Sequence, residues 1–364
     1  MRDAEAAQLP DATPVQLIDE QGARVEHAGY HLPDTATLLD GYAALVQGRR
    51  INEQCNALVR QGRLAVYPSS HGQEACQIAA ATVLGERDWL FPTYRDSVAV
   101  MAKGVSPEDT MVLLRGDWHS GYDSREHCVA PQATPLATQM LHAVGFAHAA
   151  KLRGEDTVVL AMCGDGATSE GDFHEAMNFA AVFGLPVVFF VQNNEFAISV
   201  PLSRQTAAPS LAHKAIGYGM SGQRVDGNDF AAVFSVLSEA VARARAGSGP
   251  GLIEAHTYRM QAHTNADDDS RYREREEVQS WICRDPLTRL QSHLREAGVL
   301  DDEAEESFAA EAELVAAELR EAMNREVSVH PSELFEHVFA QRPATLEQQW
   351  ELLQDEIVRT EASA

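Results

Sequence analysis

Two apolar runs bracket an amphipathic stretch in the middle of this chain, and each ends in a side chain bearing a hard oxygen. Residues 157–163 lead into Gly164-Asp165-Gly166, residues 167–183 turn from polar to amphipathic, and residues 186–192 lead into Asn193-Asn194. This order predicts strand, glycine turn, helix, strand. Short continuous apolar runs suit strands buried on both faces. Asp165 and Asn194 lie about one such unit apart, so they are expected at the ends of neighbouring strands. Ligands of open parallel sheets sit at that mouth. Together the two residues suit one magnesium ion, a cation that takes oxygen ligands and is usually shared with phosphate. The helix starting near Gly171 to Phe173 points its N-terminus at the same place, where free N–H groups and the helix dipole favour an anion. Gly164-Asp165-Gly166 alone reads as a plain turn; its pairing with Asn194 carries the inference of a bound metal-diphosphate.

The rest of the pattern predicts an α/β fold, a doubly wound parallel sheet. Helices are expected over 35–61, 72–83, 97–115, 136–151 and 230–245, and again over 286–328. Further strands are expected over 89–91 and 252–256. Residues 1–34 read as an N-terminal extended arm with a short hairpin around Gln16 to Arg24. Residues 35–330 read as the α/β domain, and 331–364 as a helical tail whose amphipathic stretch 344–360 faces a partner.

Composition narrows the function. A net charge of −25 over 364 residues argues against a nucleic-acid surface, because phosphate neutralisation needs clustered Lys and Arg. No apolar run approaches the roughly 18 residues of a membrane span. Cys55, Cys76, Cys128, Cys163 and Cys283 form no CxxC pair, so neither zinc nor a redox dithiol is indicated. With no secretory pattern in residues 1–16, they fit a reducing, cytoplasmic location. Ser169 stands where a dinucleotide fingerprint needs its third glycine, and no GxxxxGK[ST] loop occurs.

Three further features stand near predicted strand ends. Arg95, after the first short strand, suits bidentate phosphate binding, or else a helix-start pair with Asp96. His263 follows the last strand, where a group titrating near neutrality is useful; a merely solvated loop histidine is the alternative. The run 267–273 reads either as a solvated loop or as a segment that orders on cofactor binding. His71, His119, His142 and His148 show no evident partners and read as structural or surface residues.

The runs Gly164-Asp165-Gly166-Ala167-Thr168-Ser169-Glu170-Gly171-Asp172 and Gln192-Asn193-Asn194-Glu195-Phe196-Ala197-Ile198-Ser199 resemble the thiamine diphosphate motif of 2-oxo acid dehydrogenase E1 α subunits. Gly72-Gln73-Glu74-Ala75, Phe91-Pro92-Thr93-Tyr94-Arg95, Thr134-Pro135-Leu136, Arg224-Val225-Asp226-Gly227 and Thr257-Tyr258-Arg259 match the same family, in order, across about residues 35 to 350. The resemblance implies a thiamine diphosphate-binding fold with Mg²⁺ held by Asp165, Asn194 and the Phe196 carbonyl. It implies that Tyr94, Arg95, Gly166, Ala167 and His263 contact the diphosphate or line its site, and that Thr134 and Leu136 meet the aminopyrimidine. Gln192, where close relatives often carry Arg, is counted among the cofactor contacts. His263 is also expected to be catalytic. Thr264 sits where animal relatives carry a regulatory Ser; phosphorylation there is not the favoured reading.

The same resemblance implies partners. Thiamine enzymes need a second α/β domain that supplies an activating Glu, and this chain has one such unit. It is therefore expected to form an α2β2 heterotetramer with an E1 β subunit and to pass an acyl group to the lipoyl domain of E2. Branched-chain 2-oxo acids such as 3-methyl-2-oxobutanoate are the favoured substrates, pyruvate the second and acetoin the third. A scaffold that has lost its cofactor and a nicotinamide dehydrogenase are the readings from other classes.

Overall fold

The computed structural model describes residues 9–11, 13–118, 120–327, 330–336 and 338–362. Among them the strands are β1 (Trp89–Phe91), β2 (Val159–Gly164), β3 (Val187–Asn193), β4 (Phe196–Ala197), β5 (Val200–Pro201), β6 (Ser221–Asp226) and β7 (Gly251–His256). A parallel sheet runs in the order β1-β2-β3-β7-β6, and β4 and β5 form a separate antiparallel ribbon.

Strand side chains alternate between two faces, and here both faces are apolar and both are covered. Leu160, Met162, Val188, Phe190 and Ile253 pack with residues of helices Thr35–Arg60, Glu74–Thr82 and Phe230–Arg245. Val159, Ala161, Cys163, Phe189 and Val191 pack with helices Thr138–Arg153 and Gly171–Phe183 on the other side. That is the doubly wound arrangement expected from the apolar runs. Ala143, Ala147, Ala176 and Ala180 are fully buried between sheet and helices, where small side chains permit close approach. Burial of a Phe such as Phe189 or Phe190 contributes roughly 1.5–3 kcal/mol.

Several elements differ from expectation. The helix expected over 97–115 is two helices, Ser97–Ala102 and Pro107–Arg115. Gly104, at φ 101°, ends the first, and Ser106 caps the second by accepting from the Asp109 N–H at 3.0 Å. The edge strand β6 was not anticipated, because only Val225 in it is fully buried. The arm is part of the core: Val15, Leu17 and Ile18 are each 1 % exposed. Val15 bridges Val225 of β6, and the N–H groups of Leu17 and Ile18 both donate to Asp229 Oδ2 at 2.7 Å. Its hairpin is present, with Asp19 N–H bonded to the Ala23 carbonyl at 2.8 Å.

The chain divides into one compact unit through Met323 and a second from Asn324 onward. Within the second, a 3₁₀ turn Pro331–Leu334 precedes helix Ala344–Glu361, and the rings of Phe335 and Trp350 lie 5.6 Å apart. Among the described residues no helix is long and apolar enough to cross a membrane. His119 lies outside them.

Candidate active site

β2 and β3 pair in register from Val159↔Val187 to Gly164↔Gln192, so the chain leaves the sheet at Asp165 and Asn194 side by side. Asp165 opens a 3₁₀ turn, Asp165–Ser169. Thr168 closes it by donating its hydroxyl to the Asp165 carbonyl at 2.7 Å, and Lys214 Nζ donates to the Thr168 carbonyl at 2.7 Å. Gly166 is required by space: a Cβ there would stand 2.7 Å from Ala197 Cβ. The carboxylate of Asp165 is 1 % exposed and accepts from Gln205 Nε2 at 2.5 Å. Burial pushes its pKa up to about 6. Among the described residues it has no ion-pair partner, so a buried negative charge awaits compensation. Asn194 turns its Nδ2 to Gln73 Oε1 at 3.1 Å and accepts from the Phe196 N–H at Oδ1, 3.3 Å away.

Two buried arginines line the same site. Arg95 donates through Nη1 to the Ser69 carbonyl at 2.9 Å, and through Nη2 to both Nδ1 and the carbonyl of His263 at 3.1 Å. Arg259 donates through Nη1 to the same His263 Nδ1 at 3.0 Å and through Nη2 to the Ile198 carbonyl and the Tyr272 hydroxyl. Its Nε is buried and has no hydrogen-bond partner among the described residues. The two guanidinium groups are 6 % and 1 % exposed, and among the described residues neither is paired with a carboxylate. Burial and the Arg95 charge bring the Arg259 pKa down to about 10. Burial and both arginines bring His263 down to about 4. His263 is therefore neutral, and with Nδ1 accepting from two donors its proton sits on Nε2. The segment 264–274, which precedes helix Arg275–Ile282, folds against these residues: Asp267 accepts from the His263 N–H at 2.8 Å and from the Tyr272 hydroxyl.

A cavity of about 560 Å³ is lined by these residues. It brings together the residues expected to hold the metal and cofactor, Tyr94, Arg95, Thr134, Leu136, Asp165, Gly166, Ala167, Gln192, Asn194, Phe196 and His263, with Thr264 beside them. Among the described residues, the run 267–273 and the other histidines are not in its lining. Gln192 lines the floor, but both ends of its amide are engaged, with Asp96 at 2.7 Å and Gln73 at 3.1 Å. Arg95 does not pair with Asp96; their side chains point to different partners. Backbone strain gathers here too. Ala137, Glu195 and Ile198 have φ of 61°, 72° and 57°, a region costly for non-glycine residues and common at functional sites. Sequence reasoning missed Arg259, Gln73, Asp96 and Gln205. For Arg259 there was a signal: a cation three residues beyond a buried strand, in the segment that also carries His263.

Among the described residues no cluster of three His, Cys, Asp or Glu side chains could hold a metal. A cation beside Asp165 would thus draw on amide and carbonyl oxygens and on oxygens of its own anion, the donor set of Mg²⁺. The unpaired carboxylate and the guanidinium groups without carboxylate partners, all lining one cavity, fit such a ligand.

Fold and site together define an α/β protein with a buried, unpaired carboxylate and two buried arginines lining one cavity at the mouth of a parallel sheet. The chain belongs to the dehydrogenase E1 component family, whose sequence model matches residues 43–330. It is 49 % identical over 353 residues to the 3-methyl-2-oxobutanoate dehydrogenase subunit alpha of Mycobacterium tuberculosis, covering 96 % of each chain. It is 38 % identical over 313 residues to the 2-oxoisovalerate dehydrogenase subunit alpha of Bacillus subtilis, covering 83 % of this chain and 95 % of that one. Identity to the pyruvate dehydrogenase E1 component subunit alpha of Staphylococcus aureus is 37 % over 346 residues, covering 94 % and 92 %.

Proposed function

We propose that this chain is the α subunit of a thiamine diphosphate- and Mg²⁺-dependent E1 enzyme that oxidatively decarboxylates branched-chain 2-oxo acids, 3-methyl-2-oxobutanoate foremost, and passes the acyl group to a lipoyl group of E2. The observation that carries this reading is that one cavity is lined both by Asp165, a buried carboxylate, and by Arg95 and Arg259, buried guanidinium groups, with no ion pair to any of the three among the described residues. Asp165, the Asn194 side chain and the Phe196 carbonyl would hold Mg²⁺. Arg95 and Arg259, with Tyr94, Gly166, Ala167 and Gln192 around them, would hold the diphosphate, and Thr134 and Leu136 would meet the aminopyrimidine. When bound, thiamine diphosphate would supply the nucleophilic carbon and electron sink that decarboxylation of a 2-oxo acid needs. The chain's own part is to orient and to exclude water. Val66, Leu114, Leu136 and Ile198 give the cavity apolar lining, and neutral His263 keeps an Nε2–H donor for an anionic oxygen.

Leu136, Ile198 and Val200 are 46 %, 54 % and 42 % exposed. An apolar margin around the site supports completion by a β subunit in an α2β2 assembly, as does the relatives' designation as alpha subunits. The five unpaired cysteines support a cytoplasmic location. Pyruvate is the second reading, favoured by the Staphylococcus aureus relative. Coexpression with the β subunit, followed by decarboxylation assays with thiamine diphosphate, Mg²⁺ and an artificial electron acceptor, separates the readings. Faster turnover of 3-methyl-2-oxobutanoate and 4-methyl-2-oxopentanoate than of pyruvate is expected. Preference for pyruvate would replace the substrate. Inactivity on all three would turn attention to acetoin and then to a scaffold role.

A further inference from the structure

A buried file of hydrogen-bonded side chains lines the cavity and ends on Asn194. At its start Asp96, fully buried, accepts from the N–H and the hydroxyl of Thr93 at Oδ2, each at 2.7 Å. Its Oδ1 accepts from Gln192 Nε2 at 2.7 Å. Gln192 Oε1 then accepts from Gln73 Nε2 at 3.1 Å, and Gln73 Oε1 accepts from Asn194 Nδ2 at 3.1 Å. The members come from the turn after β1, from β3, from the start of helix Glu74–Thr82 and from the turn after β3. All four are at most 6 % exposed, so none can turn to water for a different partner.

The file has a direction. An ionised carboxylate only accepts, whereas an amide has one accepting and one donating end. Asp96 therefore draws the nitrogen of Gln192 toward itself. Gln192 is left presenting oxygen, which draws the nitrogen of Gln73, and Gln73 in turn draws the nitrogen of Asn194. The last amide has its nitrogen spent inward and its oxygen turned to the Phe196 segment, where it accepts the Phe196 N–H. Hard cations bind amide oxygen and not amide nitrogen.

We propose that Asp96, Gln192 and Gln73 are positioning residues that fix the Asn194 amide with its oxygen toward the cation. This rests on the reading of Asn194 as a Mg²⁺ ligand. It gives Gln192 a task beyond lining the diphosphate site, and it gives a role to a buried acid that forms no ion pair among the described residues.

The test is the Mg²⁺ concentration that half-saturates thiamine diphosphate binding to the α–β complex, read by calorimetry and, with Mn²⁺ as probe, by electron paramagnetic resonance. Asp96→Asn is nearly isosteric. Its oxygen keeps the Thr93 donors while its new NH₂ group inverts every amide in the file, leaving Asn194 to present nitrogen. Half-saturation should move up by about 10–100-fold, the usual effect of losing a partner that orients a metal ligand. The Tm of the cofactor-free protein should hold. Gln73→Met breaks the file without changing charge, so it separates orientation from lost charge and serves alone should Asp96→Asn fail to fold. An unchanged Mg²⁺ requirement in folded Asp96→Asn or Gln73→Met overturns the proposal. So does a loss of thiamine diphosphate affinity that is equal at limiting and saturating Mg²⁺, the mark of a purely structural role. Asn194→Ala distinguishes the underlying reading: if it too leaves the Mg²⁺ requirement unchanged, Asn194 is not a ligand.

Discussion

Asp165 should be a liability to the cofactor-free fold, and Asp165→Asn should make that protein more stable. Burial raises its pKa from 3.8 to about 6. The unfolded chain therefore releases this proton at lower pH than the folded one. Between these two values the folded state increasingly bears the cost of an ionised, unpaired carboxylate, and above the upper value the cost is constant. A shift of about two units corresponds to roughly 3 kcal/mol at pH 7.5. Asparagine never ionises and can still accept from Gln205, so most of that cost should vanish, raising Tm by a few degrees for a chain of this size. Thermal unfolding of the cofactor-free variants between pH 4 and 8 is the assay. The gain should be near zero at pH 4, grow to pH 6–7 and then level off. With thiamine diphosphate and Mg²⁺ present the order should reverse, because only the wild type gains binding energy. No gain at pH 7.5, or a gain equal at pH 4 and pH 7.5, would refute the claim of an uncompensated buried charge.

Arg259→Met should weaken thiamine diphosphate binding about 10–100-fold by removing a charge-assisted contact, and calorimetry at saturating Mg²⁺ checks this. His263→Gln should resist acid better than wild type. The folded pKa of His263 lies near 4, below its ordinary 6.5, so the wild type loses stability from this group as pH falls through that window, whereas Gln does not titrate; Tm against pH reads the difference. Gly166→Ala should cost about 1–3 kcal/mol through its clash with Ala197, measured by urea unfolding, and should also impair cofactor binding.

The parts of the fold visible in the sequence were those whose physics is local. β2 from Val159 to Cys163 and β3 from Val187 to Val191 are continuously apolar, which burial on both faces explains, and the glycine and asparagine turns mark where they end. Asp165 and Asn194 were readable because one strand-helix-strand unit sets their separation. β6 was not, because an edge strand with Ser221, Gln223 and Arg224 carries no continuous apolar run. The break at Gly104 was hidden because an isolated glycine is tolerated within a helical pattern. Arg259 and the file from Asp96 to Asn194 escaped for a different reason. Gln73 and Asn194 are 121 residues apart, and nothing local to a glutamine says which distant amide it will meet. The arm was read as extended, and the burial of its residues Leu17 and Ile18 depends on Asp229, 212 residues beyond Leu17.

The central claim is that Asp165 and Asn194 hold a cation across from the anion bound by Arg95 and Arg259. Calorimetric titration of thiamine diphosphate into the α–β complex, with Mg²⁺ and with EDTA, for wild type and Asp165→Ala, tests it most directly. Binding should appear for the wild type with Mg²⁺ and be lost both in EDTA and in Asp165→Ala. Equal affinity in EDTA, or in Asp165→Ala, would contradict the assignment.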